Sequence, residues 1–393
     1  MTRITLMGAA AFACLASAPA LAQEGGFSLS PAPRWDSADG ESSFKLRGRL
    51  FIDQADVDWT SPFSGDPTDS TEFRTARLGF EIEHGPVKFV AEYDFASGDA
   101  KPNDILAAIT LPRGTVRIGH FKTMNSLEEE TSSRYTTFME RGIATDLFGL
   151  DRRIGVAYNW SGNGFTASVG VFGGRMDDNF AFRESDGSSA TAARVTWSNV
   201  QDGTRWHVGA SWRGMDYDGG TRLRVYPQAH LANRFTAIDY RTGAALGAAD
   251  SSDFLGLELA AIHGPFHVHG EFAQLTLDGP ASDPSFNSGF AQAGWILTGE
   301  TRPYKESGGV FNRLRPESGI FSGGHGAFEI AARYDITDLG DANLGEIRAT
   351  TFGANWYLDD YLRVMANYVM AEMDAATFTE TSDTVQFRIQ ADF

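Results

Sequence analysis

From Phe44 to the last residue the chain alternates apolar and polar side chains with a period of two, and no soluble fold of ordinary size asks for that so often. In 44–52 the even positions are Phe44, Leu46, Gly48, Leu50 and Ile52, while Lys45, Arg47 and Arg49 point the other way. The same register returns as Val87, Phe89, Ala91, Tyr93 against Lys88, Glu92, Asp94. It closes the chain as Val385, Phe387, Ile389, Ala391, Phe393 against Gln386, Arg388, Gln390, Asp392. Successive side chains of a strand face opposite sides, so each such segment has one apolar and one wet face. A lipid-facing wall around a water-filled lumen satisfies both faces at once.

Sixteen segments carry this pattern, the first at 44–59 and the last at 382–393. Their connections alternate in length. His84-Gly85-Pro86, Pro112-Arg113-Gly114, His263-Gly264-Pro265 and the link from Leu358 to Tyr361 are tight, and those between them are longer. This predicts an all-β fold, a 16-stranded antiparallel transmembrane β-barrel with short periplasmic turns and long external loops. An even strand number puts both ends of the barrel in the periplasm, with Phe393 closing the last strand. Aromatic residues near strand ends, among them Trp59, Trp160, Trp197, Trp212, Trp356, Tyr357 and Tyr361, suit the two interfacial girdles.

Three connections exceed a simple turn: Lys122 to Arg152, Asp216 to Ser251 and Gly299 to Gly326. The third falls on the side where every other turn is short. Long segments without repeats of their own are usually functional, and a barrel of this size has an interior to fill. We expect all three to fold into the lumen and narrow it.

The start of the chain and its composition agree. Arg3, the apolar run from Ile4 to Ala18 and Ala20-Leu21-Ala22 make a secretory leader, residues 1–22, cleaved after Ala22. Residues 23–43 then form a periplasmic segment ahead of a barrel domain at 44–393. The single cysteine, Cys14, lies in the leader, which leaves the mature chain without thiol chemistry. A net charge of −18 argues against nucleic acid as a partner. The location expected is the bacterial outer membrane, with its lipid as the outer neighbour.

No serine stands in a recognisable nucleophile motif, and adjacent carboxylates such as Glu128 to Glu130 do not set an acid/base separation, so the chain is read as not an enzyme. His263, His267 and His269 share one parity with Glu271 following, but one flat strand rarely supplies convergent metal ligands. They are read as wet lumen residues, and neither metal nor cofactor is expected.

The run Gly119-His120-Phe121-Lys122 through Ser132-Ser133 to Phe138-Met139-Glu140-Arg141 resembles the constricting third loop of the phosphate-selective porin O/P family. Further blocks in the family's order are 43–50, Phe73-Arg74-Thr75-Ala76-Arg77-Leu78, Leu297 to Lys305, Arg315-Pro316-Glu317, Asn355-Trp356-Tyr357 and Ala366-Asn367-Tyr368-Val369. The resemblance implies a homotrimer whose lumen cations draw phosphate toward a narrow zone through charge-assisted bonds. It assigns Arg222 and Arg224 to an arginine ladder on the fifth loop and Arg74 to the ladder on the second strand. It assigns Ser132, Ser133 and Arg141 to the constriction, with Asp104 and Arg363 as further positions there. Arg77, Lys122 and Lys305, inside the matching blocks, join them as candidate pore cations.

Departures from the family pattern weaken the case for phosphate. Glu129, between Glu128 and Glu130, stands where the phosphate channels carry a lysine. Thr75 replaces the second arginine of a pair, and Tyr226 with Gln228 interrupts the ladder. Carboxylates at a constriction repel a dianion. The function expected first is therefore passive diffusion of small hydrophilic, charged solutes and ions through a loop-constricted pore. A phosphate- or anion-selective channel is the alternative, and a barrel serving mainly as an envelope or adhesion structure is the third reading. Arg47, Arg49 and Arg77 have a plainer use as well, pairing with Glu81, Glu92 or the acidic loop.

Overall fold

A computed structural model describes residues 26–28, 32–176, 187–280 and 282–393; the expected leader, 1–22, lies outside them. Sixteen antiparallel strands close into a barrel. They are β1 Ser42–Thr60, β2 Thr71–His84, β3 Val87–Asp94, β4 Lys101–Leu111, β5 Gly114–Lys122 and β6 Arg152–Gly162. β7 Phe165–Phe172, β8 Ser189–Gln201, β9 Thr204–Asp216, β10 Ser251–His263 and β11 Phe266–Asp278 come next. β12 Ser285–Ile296, β13 Ala327–Asp338, β14 Glu346–Asp359, β15 Leu362–Ala375 and β16 Phe378–Asp392 complete the wall. Each strand pairs with its neighbour in sequence, and β16 returns to β1 with Asp392 opposite Arg49 and Thr381 opposite Thr60.

The side chains are sorted inside out relative to a soluble protein. Leu257 and Leu259 are 58% and 56% exposed, while Arg213, Arg333 and Arg388 are among the most deeply buried large side chains. Charged groups are almost never fully buried without partners, and an outer apolar belt this continuous is stable in lipid. No helix among the described residues is long and apolar enough to cross a membrane; the strands do it.

Closure occurs at the end where β1 begins and β16 finishes. The Phe393 N–H donates to the Gly48 carbonyl at 3.0 Å, and the Gly48 N–H donates to the Phe393 carbonyl at 3.2 Å. The Phe393 ring occupies the space any side chain at Gly48 would need. β1 runs past this point, and residues 34–36 pair with 43–45 to cover its free edge. Residues 34–36 are thus hydrogen-bonded into the same sheet.

Two girdle assignments are corrected by the structure. Trp59 is buried inside against Phe235, their rings 5.7 Å apart, and Tyr357 points inward to donate to Glu329 at 2.7 Å. Both sit at the lumen parity of their strands, which outweighs nearness to a strand end. Trp160, Trp197, Trp212 and Trp356 do face outward.

Candidate functional site

All three long segments enter the barrel. The 123–151 loop crosses from β5 to the far wall, where buried side chains hold its backbone. Arg388 donates to the Met139 carbonyl at 2.7 Å, Arg333 to Glu140 at 2.9 Å, Arg213 to Phe148 at 2.7 Å and Arg363 to Thr136 at 2.7 Å. A loop with little secondary structure of its own needs such partners for its buried carbonyls. Its one-turn helix Leu127–Glu130 is capped by Ser126, whose hydroxyl accepts from the Glu129 N–H. Ile143 and Leu147 anchor the second turn in an apolar cluster with Leu223, Val225, Phe235 and Ile238 of the 217–250 loop. That cluster, together with the 297–326 insertion, fills the lumen beside the later strands.

Open space remains between the 123–151 loop and the wall of β1 to β6, as three adjacent cavities. The one toward the long-loop end measures about 320 Å³, the middle one about 280 Å³ and the one toward the terminal end about 230 Å³. Arg77 and Arg152 line all three, Arg74 the first two, and Arg141 the last two. Two strand irregularities aim side chains at this path. The β1–β2 register shifts so that Arg74 is an extra residue between Phe73 and Thr75, and the β3–β4 register shifts so that Asn103 and Asp104 both stand opposite Glu92. A bulge leaves one more side chain available to the same face.

Among the described residues, eight basic side chains and two carboxylates, Asp104 and Glu130, line the innermost cavity. Other carboxylates do not line this innermost cavity, although Glu129, Glu140, Asp146 and Asp151 line the middle one and Glu72, Asp94 and Asp151 the outer one. Glu92 takes Arg49 and Arg77 at 3.4 Å each and Arg47 at 3.9 Å, with Glu81 and Asp94 as further partners. Glu129 takes Lys122 at 3.3 Å and Arg141 at 3.1 Å, and its side chain is 7% exposed against 23% for Arg141. Glu128 turns away altogether, to Arg333 at 3.1 Å and the Gly142 N–H at 2.9 Å. Glu140 accepts two bonds from Arg74 at 2.9 Å and one from Arg388 at 3.0 Å. Burial pushes its carboxyl up, but the charges of Arg74 and Arg388 prevail and hold it well below the usual carboxylate range.

The family model described as phosphate-selective porin O and P matches residues 44–393. The chain belongs to this family. Porin O of Pseudomonas aeruginosa is 27% identical over 390 residues, covering 88% of this chain and 87% of that one. An uncharacterized protein of Caulobacter vibrioides is 30% identical over 362 residues, covering 88% of this chain and 71% of that one. The trimer form of OmpT, an outer membrane protein of Vibrio cholerae, shares the fold with a TM-score of 0.54 at 10% identity, over 90% of this chain and 99% of that one. The protein is a bacterial outer-membrane porin.

Of the residues singled out in the sequence of this porin, Arg77, Asp104, Lys122, Glu130, Ser132, Ser133 and Arg141 meet around the innermost cavity. Arg74 joins the two cavities above, and Glu129 the middle one. The others lie elsewhere. Arg222 sits beside Asp239 at 3.8 Å, and neither it nor Arg224 lines any of these three cavities. Lys305 is exposed on the 297–326 insertion, and Arg363 is buried behind the inward loop. His267 and His269 pair with Glu329 at 2.7 Å and Glu271 at 2.9 Å, whereas His263 is exposed at its turn. Sequence reasoning passed over Arg117, Arg134 and Arg152, and the loop residues Glu140 and His230 with them. Arg117 does sit at lumen parity on its wall strand, a signal period two alone contains, whereas Arg152 shares the parity of the outward Ile154, Val156 and Tyr158 and lines the cavities from the first position of its strand, which period two does not signal.

Proposed function

We propose that this porin passes small hydrophilic, charged solutes by passive diffusion and that the 123–151 loop constricts the path. Anions are favoured over cations in this reading. The observation that carries it is the innermost cavity, where eight cations face two carboxylates and Glu129, the residue that departs from the family pattern, is absent from the lining and is paired with Lys122 and Arg141. Several weak charge-assisted sites in series bind an ion without trapping it. Ser132 and Ser133 beside these cations add neutral donors that suit phosphate oxygens, which supports phosphate as one of the ions carried. The likeness to a trimeric outer-membrane protein supports a homotrimer set in outer-membrane lipid. The reading assigns the protein no catalytic role.

Swelling of liposomes containing the purified protein tests the reading. Small sugars should enter, entry should fall steeply with solute size, and a small organic anion should outrun a neutral solute of equal size. Impermeable liposomes with correctly folded protein would refute the pore and favour the envelope or adhesion reading.

A further inference from the structure

Two arginines that miss the path hold the stretch of loop directly behind Ser132 and Ser133. Arg363, 3% exposed on β15, donates to the Thr136 carbonyl at 2.7 Å and the Thr137 carbonyl at 3.0 Å. Arg302, at the start of the 297–326 insertion, donates to the Tyr135 carbonyl at 3.1 Å and to the Thr137 hydroxyl. Asn355 adds a second donor to the Thr137 carbonyl at 2.9 Å and is itself tied to Glu329 at 2.8 Å. Aromatic faces fix both guanidiniums, Phe311 at 4.0 Å from Arg302 and Tyr357 at 4.6 Å from Arg363. Neither arginine lines any of the three cavities of the path.

The clamp reaches the cavity surface through a short chain of bonds. The Thr136 hydroxyl donates to the Ser133 carbonyl at 3.2 Å, and Arg49 reaches the Ser133 hydroxyl from the other side at 2.9 Å. Three successive carbonyls, 135 to 137, are thus drawn to the rear wall, which turns the preceding serines to the front. The stretch lies outside any helix or strand, so these side chains are what its buried carbonyls have. The planar guanidinium spans two neighbouring carbonyls in a way an ammonium cannot.

We propose that Arg302 and Arg363 are positioning residues that fix the serine face of the constriction from behind. This assigns Arg363 a place outside the permeation path and gives the 297–326 insertion the role of a strut; it rests on the constriction reading above.

Single-channel recording from the full-length mature protein in planar bilayers tests the proposal, with R302M, R363M, R363K and T137V. R302M changes an insertion residue outside the barrel ladder, so folding is retained even if R363M fails to assemble. R302M should split the open level into substates, with their occupancy rising about tenfold, the ratio that loss of one charge-assisted bond corresponds to. The same variant should shift the reversal potential toward zero as the serine face disorders. T137V added to R302M should contribute less than it does alone, because the two share one bond. R363K should keep the substates of R363M although it restores the charge. A merely structural role predicts lower thermal stability with unchanged substates and reversal potential, and that result overturns the proposal. Full restoration by R363K also overturns it, since charge at that position would then be what acts. The constriction reading fails separately, if neutralising Lys122 and Arg141 leaves the reversal potential where it was.

Discussion

The glutamate triplet shows why a residue type at a position does not by itself give its electrostatic effect. Glu128 faces a buried arginine, Glu129 is shared between Lys122 and Arg141, and Glu130 lines the innermost cavity. Their substitutions therefore separate. Glu129→Gln should release two cations and raise anion over cation permeability, an effect that shrinks as the Debye length falls from ~10 Å at 0.1 M salt to ~3 Å at 1 M. Glu128→Gln should cost about 3 kcal/mol by uncovering Arg333, less whatever Asp335 supplies, and leave ion preference unchanged. Reversal potential and the temperature at which the folded gel band disappears distinguish the two; equal shifts in reversal potential would show that these pairings are wrong. The run itself was legible in the sequence, but its partners are not, because Arg333 is over two hundred positions from Glu128. Arg363 was legible as a family position in the same way, and only the fold shows which side of the loop it takes.

At the scale of the element, the strands were the easy part, since lipid on one side and water on the other impose a period that no turn or loop imitates. The irregularities escaped: the shift at Arg74 and the one facing Glu92 carry no glycine at the extra residue, and each changes which side chains reach the path. The inward loop was expected from its length, and its docking is set by ionisable groups that make it sensitive to pH. Glu140 is held below its ordinary value of ~4.3. A carboxyl depressed by folding contributes stability that is complete above the ordinary value and is lost as pH falls through the depressed one. The loop should therefore stay docked at pH 5, with substates multiplying only below about pH 4. Arg74→Ala leaves Glu140 with Arg388 and the neighbouring His230 and should move that onset upward. Recording open-channel noise against pH checks both, and noise that already rises between pH 7 and 5 would contradict the assignment.

For the whole molecule, closure and selectivity are separate claims with separate tests. Deleting Phe393 removes its two bonds to Gly48 and the ring that fills the space beside it, a loss of order 3 kcal/mol from hydrogen bonding and apolar burial. The unheated protein should then lose its fast-migrating folded form on a gel, while the intact chain keeps it until boiled, because a closed barrel offers no free edge for unfolding. A soluble, periplasmic product from the intact gene would defeat the barrel itself. In the proposed reading selectivity belongs to the assembled lumen, in which a chain with net charge −18 lines the innermost of the three cavities with eight cations and two carboxylates. The reversal potential of the reconstituted porin across a potassium chloride gradient, at low salt and with phosphate added to one side, measures that directly. The arrangement of Lys122, Arg141 and Glu129 predicts a potential on the anion side that moves toward zero as salt rises and is altered by phosphate, whereas a potential on the cation side would contradict it.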